Sequence, residues 1–189
     1  MKHRLPTAIG VLLALLALVG GTFAVWQSCR IYRGETLLAS LDDTLGRGRY
    51  DDALAMLEHV RSLTPDDPRW AIGAGRTMLL MGVFRRRPDL SSDAIGRYQK
   101  AIGLNPPDAA NYSGLGWACM INGRYAAADG AFQRALTRDP YNVYYLYSLG
   151  RLREKAGRPR EAAAFYRRAL GIGADPRIAA ALRLLEEQP

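Results

Sequence analysis

The spacing of apolar and small residues along the chain predicts a series of similar helices. Ala128, Phe132 and Ala135 stand four and three positions apart, which places them on one face of a helix. The same spacing recurs at Ala94, Tyr98 and Ala101, at Ala162, Tyr166 and Ala169, and in a weaker form at Ala53, Leu57 and Val60. The four sets begin at positions 53, 94, 128 and 162, which gives intervals of 41, 34 and 34. The pattern predicts an all-α chain built from a repeated helical unit.

A second series of small residues marks a preceding helix in each unit. Gly75, Gly116 and Gly150 give intervals of 41 and 34, and the interval from Leu41 to Gly75 is again 34. The first-helix series and the second-helix series each contain one interval of 41, which is seven residues longer than the repeat of 34. Both long intervals are explained by one set of seven extra residues if these lie between Gly75 and Ala94. We therefore expect a seven-residue loop insertion in the stretch MGVFRRRPDLSS, which contains a proline and candidate serine N-caps.

The residue types explain how the two helices of a unit pair. Small residues on both helices permit a close approach, and aromatic side chains such as Phe132 fill the space that remains. Gly48, Gly123 and Gly157 stand where the chain must turn between helices. One pair alone cannot bury its apolar face, so we expect the units to stack and share a continuous core.

A helix–turn–helix period of about 34 residues resembles the tetratricopeptide repeat (TPR). The resemblance covers roughly residues 35–176 and is best in the third copy, with Tyr112, Leu115, Gly116, Ala128, Phe132, Ala135 and Pro140. The fourth copy has Ala174 where the family pattern has proline, and the first copy is the weakest. The resemblance implies an α-solenoid domain over residues 34–189, with about four repeats at 34–67, 68–108 (holding the insertion), 109–142 and 143–176.

The chain after the last repeat predicts one further helix. Asp175 suits the N-cap and Pro176 the first helical position. Ile178, Ala181 and Leu185 then fall on one apolar face. We interpret residues 176–187 as a capping helix that closes the end of the stack.

The N-terminal region, residues 1–33, has a different character. The run from Leu5 to Cys29 has no formal charge, and about 20 apolar residues suffice to cross a bilayer. A short basic tail precedes this run, and Trp26 stands where an interfacial aromatic residue is expected. The pattern favours an uncleaved transmembrane helix at about residues 7–28. A cleaved signal peptide, or lipidation at Cys29, is the alternative, although the residues around each site fit those patterns poorly.

This helix would place the protein in a bacterial cytoplasmic (inner) membrane as a single-pass protein. A short basic N-terminal tail usually stays in the cytoplasm, whereas long domains are translocated largely regardless of charge. We therefore expect the repeat domain on the periplasmic or extracytoplasmic side. Small residues four apart in the helix, such as Gly10 and Ala14, allow self-association as a further hypothesis.

Charge and composition exclude several classes of function. The net charge is +8, of which the segment 1–33 contributes four charges, and the remainder holds 22 basic against 18 acidic side chains. That excess is too small to predict nucleic-acid binding. Two cysteines and two histidines predict neither a disulfide framework, a metal cluster nor a nucleophile–base pair, so no cofactor is expected.

The family resemblance also implies a binding groove, because first helices line the concave side of the superhelix in proteins of this family. Carried over position by position, the groove residues are Arg69, Ile72, Arg76, Ser113, Trp117, Tyr144, Tyr147 and Arg151. Tyr and Trp offer rigid contact area, and Arg can bind a carboxylate through two nitrogens. This set suits an extended peptide or short helix that carries an acidic group. The Lys and Asn clamp of some family members is absent, and core packing of Tyr147 or Trp117 is the alternative.

Arg85, Arg86 and Arg87 form the densest charge cluster. We consider two roles for it, contact with anionic lipid headgroups and an ordinary solvated loop.

The leading hypothesis for function is a membrane-tethered scaffold that recruits or assembles other cell-envelope proteins, and it rests on similarity of fold. The alternative is a glycan-linked role in polysaccharide or O-antigen polymerisation, ligation or export. An enzyme is least favoured, because acids such as Asp51 and Glu161 fall at turns and helix surfaces, where capping and solvation account for them.

Overall fold

The computed structural model describes the backbone of residues 4–187 and the side chains of residues 17–87 and 89–187. Over this range the chain is an all-α solenoid without strands, which confirms the predicted fold class in its all-α, repeat-like form. The helices are α1 (Arg4–Ala39), α2 (Leu41–Gly46), α3 (Tyr50–Leu63), α4 (Arg69–Phe84), α5 (Pro88–Leu104), α6 (Ala109–Ile121), α7 (Tyr125–Arg138), α8 (Val143–Lys155), α9 (Pro159–Leu170) and α10 (Pro176–Glu186).

The helices pack as successive antiparallel pairs. α4 packs on α5, α6 on α7 and α8 on α9, and the second helix of each pair also contacts the first helix of the next. α3 packs against α1, α2 and α4, and α10 covers α9 at the far end. The first helices α4, α6 and α8 therefore run parallel to one another and meet along one side of the stack.

A glycine against an aromatic ring holds each pair together at its closest point. A Cβ atom placed on Gly116 would lie 2.5 Å from Cδ1 of Phe132, and one on Gly150 would lie 2.2 Å from Cε1 of Tyr166. Both rings are fully buried. Because these rings fill the space that a side chain would occupy, the small residues of the repeat pattern are a packing requirement.

Four hairpin turns share one backbone geometry. Gly48, Gly123 and Gly157 have φ angles of 70°, 71° and 70°, and Arg86 occupies the same position in the α4–α5 turn with φ 54°. In each turn the following N–H donates to a carbonyl five residues earlier, as in the bond from Arg87 to Gly82. This is the hydrogen bond of a Schellman motif, which requires the left-handed conformation at the preceding residue.

The seven surplus residues of the second repeat lengthen its helices. α4 has 16 residues and α5 has 17, whereas α6 has 13 and α7 has 14. The stretch expected as an inserted loop is therefore mostly helical, with a turn of only Arg85 to Arg87 between the helices. The Ser92 hydroxyl on α5 donates to Oδ1 of Asn122 at the end of α6, so the α4–α5 hairpin extends beyond α6 at the end where Phe84 lies. On its other side, Tyr50 at the start of α3 still stacks on Phe84.

The prediction of a membrane anchor at the N-terminus is wrong. Among the described residues, no helix is both long and apolar enough to cross a membrane. This finding contradicts the predicted transmembrane helix at residues 7–28 and the single-pass location in a bacterial inner membrane; the side chains of residues 7–16 lie outside the described part.

The second half of α1 packs on the first repeat. α1 continues without a break through Gly34. A Cβ atom placed on Gly34 would lie 3.5 Å from Oγ1 of Thr64, so α1 passes close to the end of α3 here. The guanidinium of Arg30 donates to the carbonyl of Leu63 and lies over the Trp26 ring, 4.5 Å from its centroid. These contacts join α1 to the C-terminal end of α3.

Candidate functional site

An open groove of about 600 Å³ runs along the side of the stack where the first helices meet. It is lined by one face of α4, one face of α6 and the N-terminal end of α8. Five of the eight predicted groove residues line it: Ile72, Arg76, Ser113, Trp117 and Tyr144. These five come from three different repeats, so the stacking of the repeats brings them together. Their role as a binding site stays a prediction.

The middle of the groove has two polar side chains. Ser113 is 3% exposed, and its hydroxyl finds no hydrogen-bond partner within the described part of the chain. Arg76 is exposed, with Nη1 2.8 Å from Oδ1 of Asp42. The Ser113 oxygen is itself covered by protein atoms, so Arg76 is the polar side chain of this region that a bound molecule can reach.

An aromatic wall closes one side of the groove. The rings of Trp117 and Tyr144 stack with centroids 6.3 Å apart, and Trp117 meets Phe132 edge to face at 6.0 Å. Trp117 Nε1–H donates to Ser148 Oγ at 3.1 Å, which fixes the indole. The Tyr144 side chain is 51% exposed. A rigid and partly open aromatic pair of this kind provides contact area at low entropic cost.

The groove also contains an apolar end that the repeat pattern did not reveal. α4 contributes Leu79, Leu80, Val83 and Phe84, and α6 contributes Ile121. Val83 is 53% exposed, Phe84 69% and Ile121 42%. In the sequence these residues continue the apolar face of α4 at helical spacing, so they resemble core positions. The signal for a different role was the seven-residue surplus, because it makes α4 longer than the neighbouring first helix α6 and leaves the end of α4 partly uncovered.

Tyr98 forms part of the floor between α4 and α6. A Cβ atom on Gly75 would lie 2.9 Å from this ring, and one on Gly114 would lie 2.1 Å from it. Burial raises the pKa of Tyr98 to about 12, so the phenol stays neutral at physiological pH. The groove therefore has a neutral floor, and Arg76 is its charged lining residue.

Arg69 lies beside a neighbouring cavity of about 390 Å³, which Ile72 and Arg76 also line. Its guanidinium binds both Glu35 and Asp67, and these hydrogen bonds raise the pKa of Arg69 further above its already high value. The carboxylates of this pairing occupy the donors that a ligand would need. Arg69 therefore links α1 to α4 in this structure.

Three ion pairs each join an acid and an arginine that are one repeat length apart in the sequence. Arg69 pairs with Glu35, Arg76 Nη1 lies 2.8 Å from Asp42, and Arg85 Nη1 lies 2.8 Å from Asp51. In each pair the arginine follows the acid by 34 residues. The acids of the first repeat thus meet the arginines of the second.

The remaining predicted groove residues lie apart. Tyr147 stacks on Tyr166 with centroids 5.8 Å apart and, with Tyr144, lines a cavity of about 180 Å³ beside α10. Arg151 lies elsewhere, with Nη1 3.3 Å from Glu154. Tyr147 thus adjoins Tyr144 at this separate cavity, whereas Arg151 lines neither cavity.

The arginine cluster at residues 85–87 forms the turn between α4 and α5. Arg85 pairs with Asp51 and lies over the Tyr50 ring, 5.5 Å from its centroid. Arg87 Nη2 lies 2.6 Å from Asp89. Two of the three arginines therefore have acidic partners within the chain, and contact with headgroups stays a prediction.

Within the described residues, no group of three or more His, Cys, Asp or Glu side chains is placed to hold a metal ion. Cys119 is buried, and this burial raises the pKa of its thiol. Its raised pKa keeps the sulfur as a neutral thiol, which is the poorer nucleophile.

Comparison with known proteins identifies the repeats. The family model described as "Tetratricopeptide repeat" matches residues 90–143 and 122–177. Proteins with such repeats generally mediate protein–protein interactions and are typically scaffolds without enzymatic activity.

The chain matches only a small part of the length of each curated relative. Superkiller protein 3 of Schizosaccharomyces pombe is 35% identical over 77 residues, which are 41% of this chain and 6% of that protein. Tetratricopeptide repeat protein 37 of Xenopus laevis is 27% identical over 138 residues, 72% of this chain and 8% of that protein. The chain thus spans less than a tenth of the length of these relatives.

Solved structures share the fold. A thermophilic TPR protein from Thermus thermophilus superposes with a TM-score of 0.73 at 20% identity, covering 94% of this chain and 97% of that one. The pilF protein of Pseudomonas aeruginosa gives a TM-score of 0.70 at 18% identity, over 82% and 68% of the two chains. The MamA protein gives 0.63 at 23% identity, over 82% and 81%. At these identities the similarity establishes the fold alone.

Proposed function

Because the chain belongs to the tetratricopeptide repeat family, we propose that it is a protein-interaction scaffold whose groove between α4, α6 and α8 binds a segment of a partner protein. The observation that carries the proposal is the composition of this groove. It combines a stacked aromatic pair with an exposed arginine. Rigid aromatics and arginine are the residues that contribute most at protein interfaces.

A photo-crosslinking residue at position 144 tests this function in living cells. Tyr144 is half exposed and lines the groove, so a partner that occupies the groove comes within reach of the probe. The matched control places the same residue at Arg134, which is exposed on the second helix α7. A discrete protein adduct at position 144 and none at 134 supports the proposal. Equal labelling at both positions, or labelling at 134 alone, contradicts it.

The finer forms of the hypothesis concern the partner. A protein of the bacterial cell envelope is the client that we favour, and mass spectrometry of the adduct identifies it. A glycan-linked role is the second candidate, favoured by the Trp117–Tyr144 stack because aromatic faces also contact sugar rings. A diffuse adduct that a glycosidase sharpens would support that second role.

A further inference from the structure

We propose that one edge of the solenoid, formed by the α4–α5 and α6–α7 turns, rests on an anionic lipid surface. Phe84 enters the apolar boundary of the lipid layer, and Arg86 and Arg124 contact headgroup phosphates. This contact is peripheral and needs no membrane-spanning helix. It goes beyond the proposed function, because it concerns the turns and not the partner segment in the groove.

The two turns lie side by side, and residues 84–87 and 121–125 are called the turn edge below. The Ser92 hydroxyl on α5 lies 3.0 Å from Oδ1 of Asn122, which joins the two hairpins at this edge. Phe84 ends α4 and Ile121 ends α6, and both side chains line the same end of the groove. The longer α4–α5 hairpin extends beyond α6, so it meets a flat surface first.

Large apolar side chains are exposed at the turn edge. Phe84 is 69% exposed, Ile121 42% and Tyr125 40%. At the position of Phe84 and Ile121, two residues before the left-handed residue, the first and last hairpins have Gly46 and Lys155. The apolar patch is therefore confined to the two middle turns. Apolar side chains at such a protruding position can enter a lipid layer, where amphipathic surfaces are buried by about 5–10 Å.

Positive charge surrounds the apolar patch. Arg85 and Arg87 each pair with an acid of the chain. Arg86 and Arg124 are exposed, and neither forms an ion pair with the side chains that the structure describes. A guanidinium presents several N–H donors in one plane, a geometry that fits the oxygens of a phosphate. The two uncompensated arginines thus complement an anionic headgroup layer.

The backbone at Arg86 supports a role for this side chain. Arg86 has φ 54°, whereas glycine occupies the left-handed position of the other three turns. A residue with a Cβ is disfavoured in this conformation, and such strain is typical of positions where function requires the side chain. Arginine here places a cation at the protruding tip of the longest hairpin.

A lipid surface matches these features better than an acidic protein segment does. The apolar and basic side chains stand on a protrusion and do not surround a recess that would hold one side chain of a partner. A lipid layer offers phosphates at the headgroup level and apolar chains directly beneath them. Each basic residue held near an anionic layer strengthens binding about fivefold.

An environment-sensitive fluorophore at either end of α7 tests the inference in the full chain. Nitrobenzoxadiazole is attached to Tyr125→Cys at the turn edge, or to Tyr141→Cys beyond the other end of α7. The 14 residues of α7 separate the two sites by about 20 Å. Cys29→Ser is the common background, because Cys119 is buried and Cys29 is the exposed thiol. The vesicles contain phosphatidylcholine alone, or phosphatidylcholine with an equal part of phosphatidylserine.

We expect the emission at position 125 to shift to shorter wavelength with the phosphatidylserine vesicles and to stay unchanged with phosphatidylcholine alone. The emission at position 141 should stay unchanged with both. Salt at about 0.5 M should abolish the shift, because it screens charges on an exposed surface. No shift at 125, or equal shifts at 125 and 141, overturns the inference. An equal shift at 125 with both lipids also overturns it, since attraction to the anionic layer would then play no part.

Arg86→Gly separates lipid binding from stability. It should raise the melting temperature, because glycine suits the turn, and yet weaken binding to the phosphatidylserine vesicles about fivefold. Arg86→Lys keeps the charge and should bind within about twofold of the unchanged chain. Binding by Arg86→Gly as tight as that of the unchanged chain overturns the inference.

Phe84→Ser tests the apolar part of the contact. It should weaken binding to the same vesicles about tenfold, because the aromatic side chain no longer leaves water. Melting temperatures confirm that the variant is folded. Unchanged binding by folded Phe84→Ser overturns the insertion of this side chain and with it the inference.

Crosslinking at position 144 keeps this inference apart from the proposed function. Tyr144 is on α8, outside the turn edge. If the vesicle experiments fail while the adduct at 144 still forms, the lipid contact is overturned and the groove remains the interaction surface. If the adduct is lost while the emission at 125 still shifts, the proposed function is overturned and the lipid contact stands.

Discussion

Gly150 lies directly against the ring of Tyr166, so close that a Cβ atom on the glycine would be 2.2 Å from Cε1 of the tyrosine. The ring is fully buried, and its hydroxyl donates to Glu154 at 2.8 Å, so it has no room to move away. This pair sets the distance between α8 and α9, and Gly116 with Phe132 does the same for α6 and α7.

Gly150→Ala should therefore lower the free energy of unfolding by about 2–3 kcal/mol, since the methyl group overpacks the core. Gly130→Ala is the control, because Gly130 lies on the exposed face of α7 with nothing within 4 Å of a new Cβ. That change should stabilise the protein by about 0.5–1 kcal/mol through the higher helix propensity of alanine. Urea unfolding measures both, and equal effects would contradict the packing argument.

Arg86→Gly should stabilise the protein by about 0.5–1 kcal/mol, because glycine adopts the left-handed conformation without a steric penalty. Arg86 has φ 54° at the turn position where Gly48, Gly123 and Gly157 stand in the other hairpins. The left-handed conformation costs about 1–2 kcal/mol for a residue with a Cβ, and part of this gain is offset by the greater freedom of glycine in the unfolded chain. Arg86→Ala removes the charge but keeps Cβ, so it should give no such gain. Thermal unfolding of both variants and of the unchanged protein measures the difference.

The N-terminal cap of α10 should be sensitive to acid. The guanidinium and the backbone N–H of Arg177 lower the pKa of Asp175 to about 2 from its ordinary 3.8. Because the folded-state pKa is depressed, the cap contributes its full stability above pH 3.8 and loses it as the pH falls through about 2. NMR titration of the Asp175 carboxyl and the α10 amides follows this loss. Arg177→Gln should move the midpoint up toward 3.8, and an unchanged midpoint would exclude the pairing as its cause.

Asp42→Asn should leave stability nearly unchanged and increase affinity for acidic ligands. The Asp42–Arg76 pair is exposed, and such pairs contribute between zero and about 1 kcal/mol. Without Asp42 the Arg76 guanidinium is fully available, so an Asp-bearing peptide should bind about two- to fivefold more tightly. Asp43→Asn is the matched control, since Asp43 pairs with Arg47 on the other side of α2. Isothermal titration should separate the two variants, and identical affinities would count against competition at Arg76.

The helical pairs could be predicted from the sequence because their packing repeats. Gly116 with Phe132 and Gly150 with Tyr166 recur one repeat length apart, and a contact that recurs at a constant interval is visible in the chain itself. The left-handed turn at Arg86 was not visible, because the glycine that marks the other three turns is absent there. The repeat lengths located the surplus residues but did not distinguish a loop from longer helices.

The groove was predictable only in part. Ile72, Arg76, Ser113, Trp117 and Tyr144 follow from positions within the repeat, and the structure places all five around one cavity. Val83 and Ile121 continue ordinary apolar helix faces, so the sequence alone suggests that they are buried. Only the packing of the helices in the structure shows that these two side chains are exposed. The pairing of Arg69 with Glu35 depends on how α1 meets the first repeat, which no local pattern specifies.

The apolar N-terminal run was the least reliable guide. Composition alone favoured a membrane-spanning helix, whereas the described part of α1 continues past Arg30 and Gly34 into contact with α3. The apolar run and the start of the repeat domain therefore belong to one helix, although their compositions differ and suggest a boundary between them.

The central claim, that the groove is the interaction surface, is tested most directly by the indole N–H signals in a ¹⁵N NMR titration. The chain has three tryptophans, so it supplies its own controls: Trp117 lines the groove, Trp70 is buried with its Nε1–H bonded to the Pro65 carbonyl, and Trp26 lies on α1. The titrant is the partner segment identified by crosslinking at position 144. We predict a saturable shift of the Trp117 signal while the Trp26 and Trp70 signals stay in place. A shift of Trp26 with Trp117 unmoved would place binding on α1 and contradict the account.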